Sequence, residues 1–266
     1  MSIGIDMIDT HCHLTFPELH DRIDQVIDAA RQAGVDQMIS VGTTPDDARQ
    51  ALTIADEHPG VFATVGLHPL YALRVNQHHW LLNEMKELAA HPKVVALGEM
   101  GLDRHYPDPP MDVQQERFLW QLNFVEKSDL PVVIHNRQAT QEVLEMLRQR
   151  SLPGERFVFH CFTGSQEELE AILEFGAMVS FTGVVTFKNA RDLAQASDLV
   201  PMDRLMVETD APYLTPEPYR KVKPNEPRYV VEVARFLAAR RGMTLEAFTA
   251  QVDANARRFF RLPKST

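Results

Sequence analysis

Residues 5–14 read IDMIDTHCHL, a short apolar run that ends in two histidines, His11 and His13. Side chains two apart on a strand share a face, so both imidazoles point one way and Cys12 points the other. Seven similar runs follow: DQMISVG (36–42), VFATVGLHP (61–69), VVALGEMGLD (94–103), PVVIHN (131–136), RFVFHCF (156–162), AMVSFTG (177–183) and LMVETD (205–210). Between them the apolar spacing is helical. Over 20–33 it puts Ile23, Val26, Ile27 and Ala30 on one face, and Gly34 closes the segment. Similar stretches cover 45–57, 79–90, 113–128, 139–149, 166–175, 189–197 and 226–241, and a last helix is expected near 244–260. Thr44 and Pro45 form a start signal for the second of these. Eight strands alternating with eight helices predict an α/β fold with a parallel sheet covered by helices. At 266 residues the leading architecture is a closed (β/α)8 TIM barrel in one domain, residues 1–266, ahead of an open doubly wound sheet. Residues 212–228, with five prolines, read as an ordered irregular loop.

The composition sets limits. The chain is 44% hydrophobic and carries a formal net charge of −10. That charge opposes broad, non-specific affinity for nucleic acid, although a local basic patch is still possible. No apolar run approaches the ~18–20 residues needed to cross a bilayer. The start of the sequence lacks a basic stretch followed by an apolar one, and two cysteines cannot make a disulfide framework. A reduced, cytoplasmic protein that contacts no membrane is expected, with a monomer as the simplest assembly.

Function in such a barrel gathers at the C-terminal ends of the strands. The first run ends in His11 and His13, and the third in His68. The fourth carries Glu99, the fifth ends in His135, the sixth in His160, and the eighth in Glu208 and Asp210. Any one of these could be structural. Five of these strand ends supply His11 and His13, Glu99, His135, His160 and Asp210 in order, which points to a shared metal site. Imidazole with carboxylate suits zinc, manganese or iron, whereas magnesium sites usually carry fewer histidines. Glu99 has two oxygens and can bridge two ions, flanked by Gly98 and Gly101, which allow close backbone approach. Two ions about 3.5–4 Å apart would clamp a hydroxide and polarise a phosphoryl oxygen. His20, His58, His78, His79, His91 and His105 fall in helices or loops and read as solvated.

The blocks DTHCHL, GLHP, VVALGEMGLD, PVVIHNR, FHCFTGS, FTGVVTF, VETDAPYL and NEP resemble, in order, the signatures of the TatD family of metal-dependent hydrolases, within the amidohydrolase superfamily. The resemblance spans about residues 8–260. It implies two divalent ions (zinc, manganese or magnesium). His11, His13, Glu99 and Asp210 would hold one, and Glu99, His135 and His160 the other. It implies a deoxyribonuclease, with 3′-to-5′ exonuclease action on single-stranded DNA as the expected activity. His68 and Glu208 match active-site positions of the family. Where that family often has an aromatic residue after GLD, this chain has Arg104-His105-Tyr106.

A phosphodiester substrate needs cations on the active face. Arg137 follows the ligand candidate His135, and Arg104 lies on the fourth loop. Lys188 and Arg191 follow the seventh run, and Arg220, Lys221, Lys223 and Arg228 lie on the eighth loop. Arg137, Arg104, Arg220, Lys221 and Lys223 are the candidate substrate-binding residues. Tyr106, Phe162, Phe187, Tyr213 and Tyr219 could stack an unpaired base. Glu99, Asp210, His68 and Glu208 are the candidate catalytic groups, with Asp210 or Glu208 as the proton acceptor. Cys12 and Cys161 read as small buried hydrophobes turned from the metals. Two other readings compete: a hydrolase of another ester, lactone or amide on the same centre, and a barrel used as a non-catalytic scaffold.

Overall fold

The structure, a computed structural model, describes residues 6–264; Ile5, at the start of the first run, lies outside them. Its eight strands are β1 (Met7–Cys12), β2 (Val35–Ser40), β3 (Val61–Val65), β4 (Val94–Asp103), β5 (Val132–Arg137), β6 (Phe157–Phe159), β7 (Met178–Phe181) and β8 (Leu205–Val207). They pair in parallel, in sequence order. The ring closes between β1 and the segment running on from β8. There the Thr10 hydroxyl donates to Val207 O at 3.0 Å, Asp210 N donates to His11 O at 2.9 Å and His13 N donates to Ala211 O at 2.7 Å. This is the expected (β/α)8 TIM barrel.

The helices fall where the apolar spacing put them, with shifted ends. The segment expected over 20–33 is a short turn of helix, Pro17–His20, followed by Ile23–Gln32. In the helix Pro45–Glu57 the Thr44 side chain accepts the Asp47 N–H. The helix Gln166–Phe175 opens with a reciprocal box between Ser165 and Glu168 and stops at Gly176, whose φ of 100° is left-handed. The segment expected over 226–241 becomes a 3₁₀ turn, Pro227–Tyr229, and the helix Val230–Arg240.

The lower barrel interior is an apolar plug of Ile8, Ile39, Val95, Val133, Val158 and Met206, sealed from below by Phe259 and Phe260 of the last helix, Leu245–Phe260. A larger core fills the layer between sheet and helices. The plug leaves only the upper interior for polar groups. Alternation carries Val133 to His135 and Val158 to His160 on one face. Along β1 it does not: Ile8 and His11 both face inward three residues apart, and the β1–β2 register slips between Asp9 and Cys12.

Asp253 of the last helix accepts the Ile8 N–H at 3.1 Å. Burial pushes its pKa from 3.8 up to about 7, against that hydrogen bond and Arg257. The folded chain therefore holds this proton more tightly than the unfolded chain. The stability it confers is complete below the unfolded pKa and is lost as pH rises through about 7. Asp253→Asn keeps an acceptor for Ile8 and removes the titration. Its melting temperature relative to the parent should climb between pH 4.5 and pH 7 and then level off; a difference constant with pH contradicts this account.

Candidate metal centre

Glycine brings the strands close enough to converge their side chains. A Cβ on Gly98, at φ +113°, would sit 2.4 Å from Val133 O, and one on Gly101, at φ +146°, 2.0 Å from His135 O. Only glycine admits β5 that near to β4. The β4–β5 register shifts between Leu97 and Met100, which re-aims Glu99 and Asp103 toward the interior.

Glu99 lies at the centre and is 1% exposed. Its Oε1 is 2.7 Å from His135 Nδ1, 2.7 Å from His160 Nε2 and 3.4 Å from His68 Nε2. Its Oε2 faces the other way, 3.4 Å from His11 Nε2. Asp210 Oδ1 lies 3.3 Å from His13 Nε2 and 3.8 Å from His11 Nε2. The carboxylate is thus shared between two sets of imidazoles. The far sides of two of these rings are held too: His135 Nε2 is 2.9 Å from Asp103 Oδ2 and His13 Nδ1 is 3.3 Å from Val41 O, while His160 Nδ1 lies 3.3 Å from Glu208 Oε1 outside hydrogen-bond geometry. An imidazole tethered on one nitrogen presents the other with a fixed tautomer, the arrangement metal-ligating histidines use.

Burial acts upward on Glu99, but His160 and the neighbouring imidazoles of His68, His11 and His135 hold it well below the usual carboxylate range. Burial acts downward on His160, and Glu99 and Glu208 overcome it, raising it well above the usual imidazole range. The same contest raises His13, through Asp210, and His135, through Asp103 and Glu99. His68 and His11 go down: burial takes His68 to about 4 against the pull of Glu99, and His11 falls through burial and the neighbouring His160.

The donor set fits divalent cations. Among the described residues, both ring nitrogens of the fully buried His11, and Nδ1 of His160, lack any partner in hydrogen-bond geometry. Three trios of ligand atoms each lie within 4.8 Å of one another: His11–His13–Glu99, His11–His160–Glu208 and His68–Glu99–His135. A cation beside Glu99 Oε2 would complete His11 Nε2 and replace the protons that the crowded imidazoles otherwise share with Glu99 and Asp210.

His13, His68, Glu99, His135, His160 and Asp210 all line one open cavity of about 760 Å³ at the C-terminal end of the barrel, with His11 beneath them. Glu208 does not line it. Its Oε1 accepts the Cys161 N–H at 2.6 Å and its Oε2 accepts the Ser180 hydroxyl, so it braces β6, β7 and β8. Cys161, at φ 45°, is half-buried and borders the cavity, unlike the fully buried Cys12; burial raises both thiols well above their usual range. Of the candidate cations, Arg137 borders the cavity, 5.4 Å from the Tyr106 ring. Arg104 is paired with Glu142, Arg220 stacks 3.7 Å over Phe187, and Lys221 and Lys223 are exposed on the eighth loop. Tyr106 and Tyr213 border the cavity; Phe162 packs against Phe181 instead. His105, on the fourth loop, is exposed as expected.

The sequence reading missed Asp103, Phe16 and Tyr71, all of which border the cavity. Asp103 was accessible to it, four residues beyond Glu99 on the same strand face. It also missed the brace beneath Asp210. Asp9 accepts the Thr209 N–H at 2.9 Å and the Thr209 hydroxyl at 2.5 Å, and Asn225 Nδ2 donates to Thr209 O at 3.0 Å and Tyr213 O at 2.5 Å. These bonds fix the turn in which Asp210 takes a φ of 54°.

Residues 8–261 match the family described as TatD related DNase. An uncharacterized metal-dependent hydrolase of Bacillus subtilis, YabD, is 38% identical, covering 96% of this chain and 99% of its own. A protein of Erwinia billingiae named 3′-5′ ssDNA/RNA exonuclease TatD is 38% identical, covering 97% and 100%. Among solved structures, the TatD homologue YjjV of Escherichia coli superposes with a TM-score of 0.90 at 28% identity, over 98% of this chain and all of that one. With that barrel and its crowd of metal-ligating side chains, the chain belongs to the TatD family of metal-dependent hydrolases.

Proposed function

We propose that this chain is a nuclease that uses two divalent ions to remove nucleotides from the 3′ end of single-stranded DNA, in the cytoplasm. The observation that carries the reading is the division of Glu99, with Oε1 toward His135 and His160 and Oε2 toward His11. In this reading His11, His13, Glu99 and Asp210 hold one ion, and Glu99, His135 and His160 hold the other. The ions, zinc, manganese or magnesium, would polarise a phosphoryl oxygen and make water nucleophilic at neutral pH. The name of the Erwinia relative supports the substrate and the polarity.

The chain's own groups take separate parts. Asp210 accepts the proton released in hydrolysis. Its carboxylate borders the cavity, whereas both oxygens of Glu208 are committed to Cys161 and Ser180. Arg137 offsets phosphate charge at the rim, and Tyr106 and Tyr213 offer faces for an unpaired base. Arg220, Lys221 and Lys223 on the eighth loop draw a strand toward an otherwise acidic protein. His68, kept neutral by burial, spaces His135 and Glu99 at 3.1 and 3.4 Å.

Two outcomes test this. Protein stripped with a chelator should lose hydrolysis of end-labelled single strands and regain it with manganese, zinc or magnesium, releasing nucleotides from the 3′ end. Turnover of lactones or carboxylic esters in preference to DNA would sink the substrate assignment. Asp103→Asn, which removes the charge fixing His135, should lower metal affinity or activity about 10–100-fold with little change in melting temperature; activity equal to the parent's would show that His135 needs no such tether.

A further inference from the structure

A second cavity, of about 460 Å³, opens at the other end of the barrel, at the N-terminal ends of β5 to β8. Pro131, Met178 and Phe259 give it an apolar wall, and four arginines, Arg156, Arg204, Arg258 and Arg261, border it. They converge from three segments: the approach to β6, the approach to β8, and the end of the last helix. A helix C-terminus explains one or two cations; it does not explain the other two.

Their hydrogen bonds go mainly to backbone carbonyls. Arg156 Nη2 donates to Val125 O, Ser128 O and Leu130 O at 3.2, 2.5 and 2.9 Å. Arg258 Nη2 donates to Asp203 O at 2.7 Å and to Asn255 Oδ1 at 3.2 Å, Arg261 Nη2 to Asp129 O at 2.9 Å, and Arg204 Nη1 to Leu173 O at 3.5 Å. Carbonyls orient a guanidinium without neutralising it. Three exposed carboxylates, Asp129, Glu155 and Asp203, border the same cavity, yet among the described residues none comes within ion-pair distance of any of the four. Most of the remaining N–H groups have no partner among the described residues, and the buried Nε of Arg156 is one of them.

Oriented guanidinium forks with free donors suit the oxygens of a phosphoryl group. The volume falls within the range of small-ligand sites and exceeds what inorganic phosphate needs, and the apolar wall offers a surface for a ring. We propose that this cavity is a binding site for a nucleoside phosphate, separate from the metal centre. The inference does not depend on the nuclease reading, since the two sites lie at opposite ends of the barrel.

Calorimetric titration of the metal-loaded full chain tests it, with deoxyadenosine monophosphate and inorganic phosphate as probes. The parent should show one more binding event for the nucleotide than the double variant R258A/R261A, with phosphate at least about tenfold weaker at that site. The single variant R261A, at an exposed position past the helix, should weaken the event without abolishing it, and raising salt should weaken it in the parent. Equal numbers and affinities of nucleotide binding events in parent and variants overturn the proposal. Equal affinity for phosphate and nucleotide overturns the nucleoside part of it.

Discussion

Everything at the upper end of this barrel is arranged around one buried carboxylate. Glu99 is 1% exposed, yet a nearby imidazole on each side keeps it charged. A lone carboxylate in such a place would be protonated or expelled, because burying an unpaired charge costs far more than a single contact returns. His11, His68, His135 and His160 ring it, and Asp103, Glu208 and Asp210 stand behind or beside them. Removing any one leaves the others partly unsatisfied in a low dielectric, so these residues behave as a unit.

The fold serves that cluster in two ways. Apolar side chains and the last helix close the lower interior, so polar groups gather only at the C-terminal end. Local departures from regular geometry then aim these side chains. The register slips in β1 and β4, the left-handed turn at Asp210, and the glycines that let β5 approach β4 each turn a side chain inward where plain alternation would not. Below the plug, the arginine-lined cavity shows the same barrel offering charge of the opposite sign at its other end.

Much of this was legible in the chain. The eight apolar runs gave the strand count and order, because each is short, β-branched and bounded by helical spacing. His11, His13, Glu99, His135, His160 and Asp210 could be picked out because each sits where its run ends, and the structure gathers them. Alternation failed where strands stop being regular. Glu208 and Asp210 are two apart, but β8 ends at Val207, so one braces β6 and β7 while the other enters the cavity. Asp103 was missed because the fourth run was read as ending in function at Glu99, although the strand continues to Asp103. The bonds from Asp9 and Asn225 to Thr209 join positions far apart in sequence, and no local pattern encodes them.

In the proposed function, Glu99 joins two cation positions. Elemental analysis of protein dialysed against a divalent metal, with binding isotherms for the parent and for Glu99→Ala, tests it most directly. Two ions per chain are expected in the parent, and weakened binding of both in the variant, with the barrel still folded. One ion in the parent, or two ions held with unchanged affinity in Glu99→Ala, would contradict it.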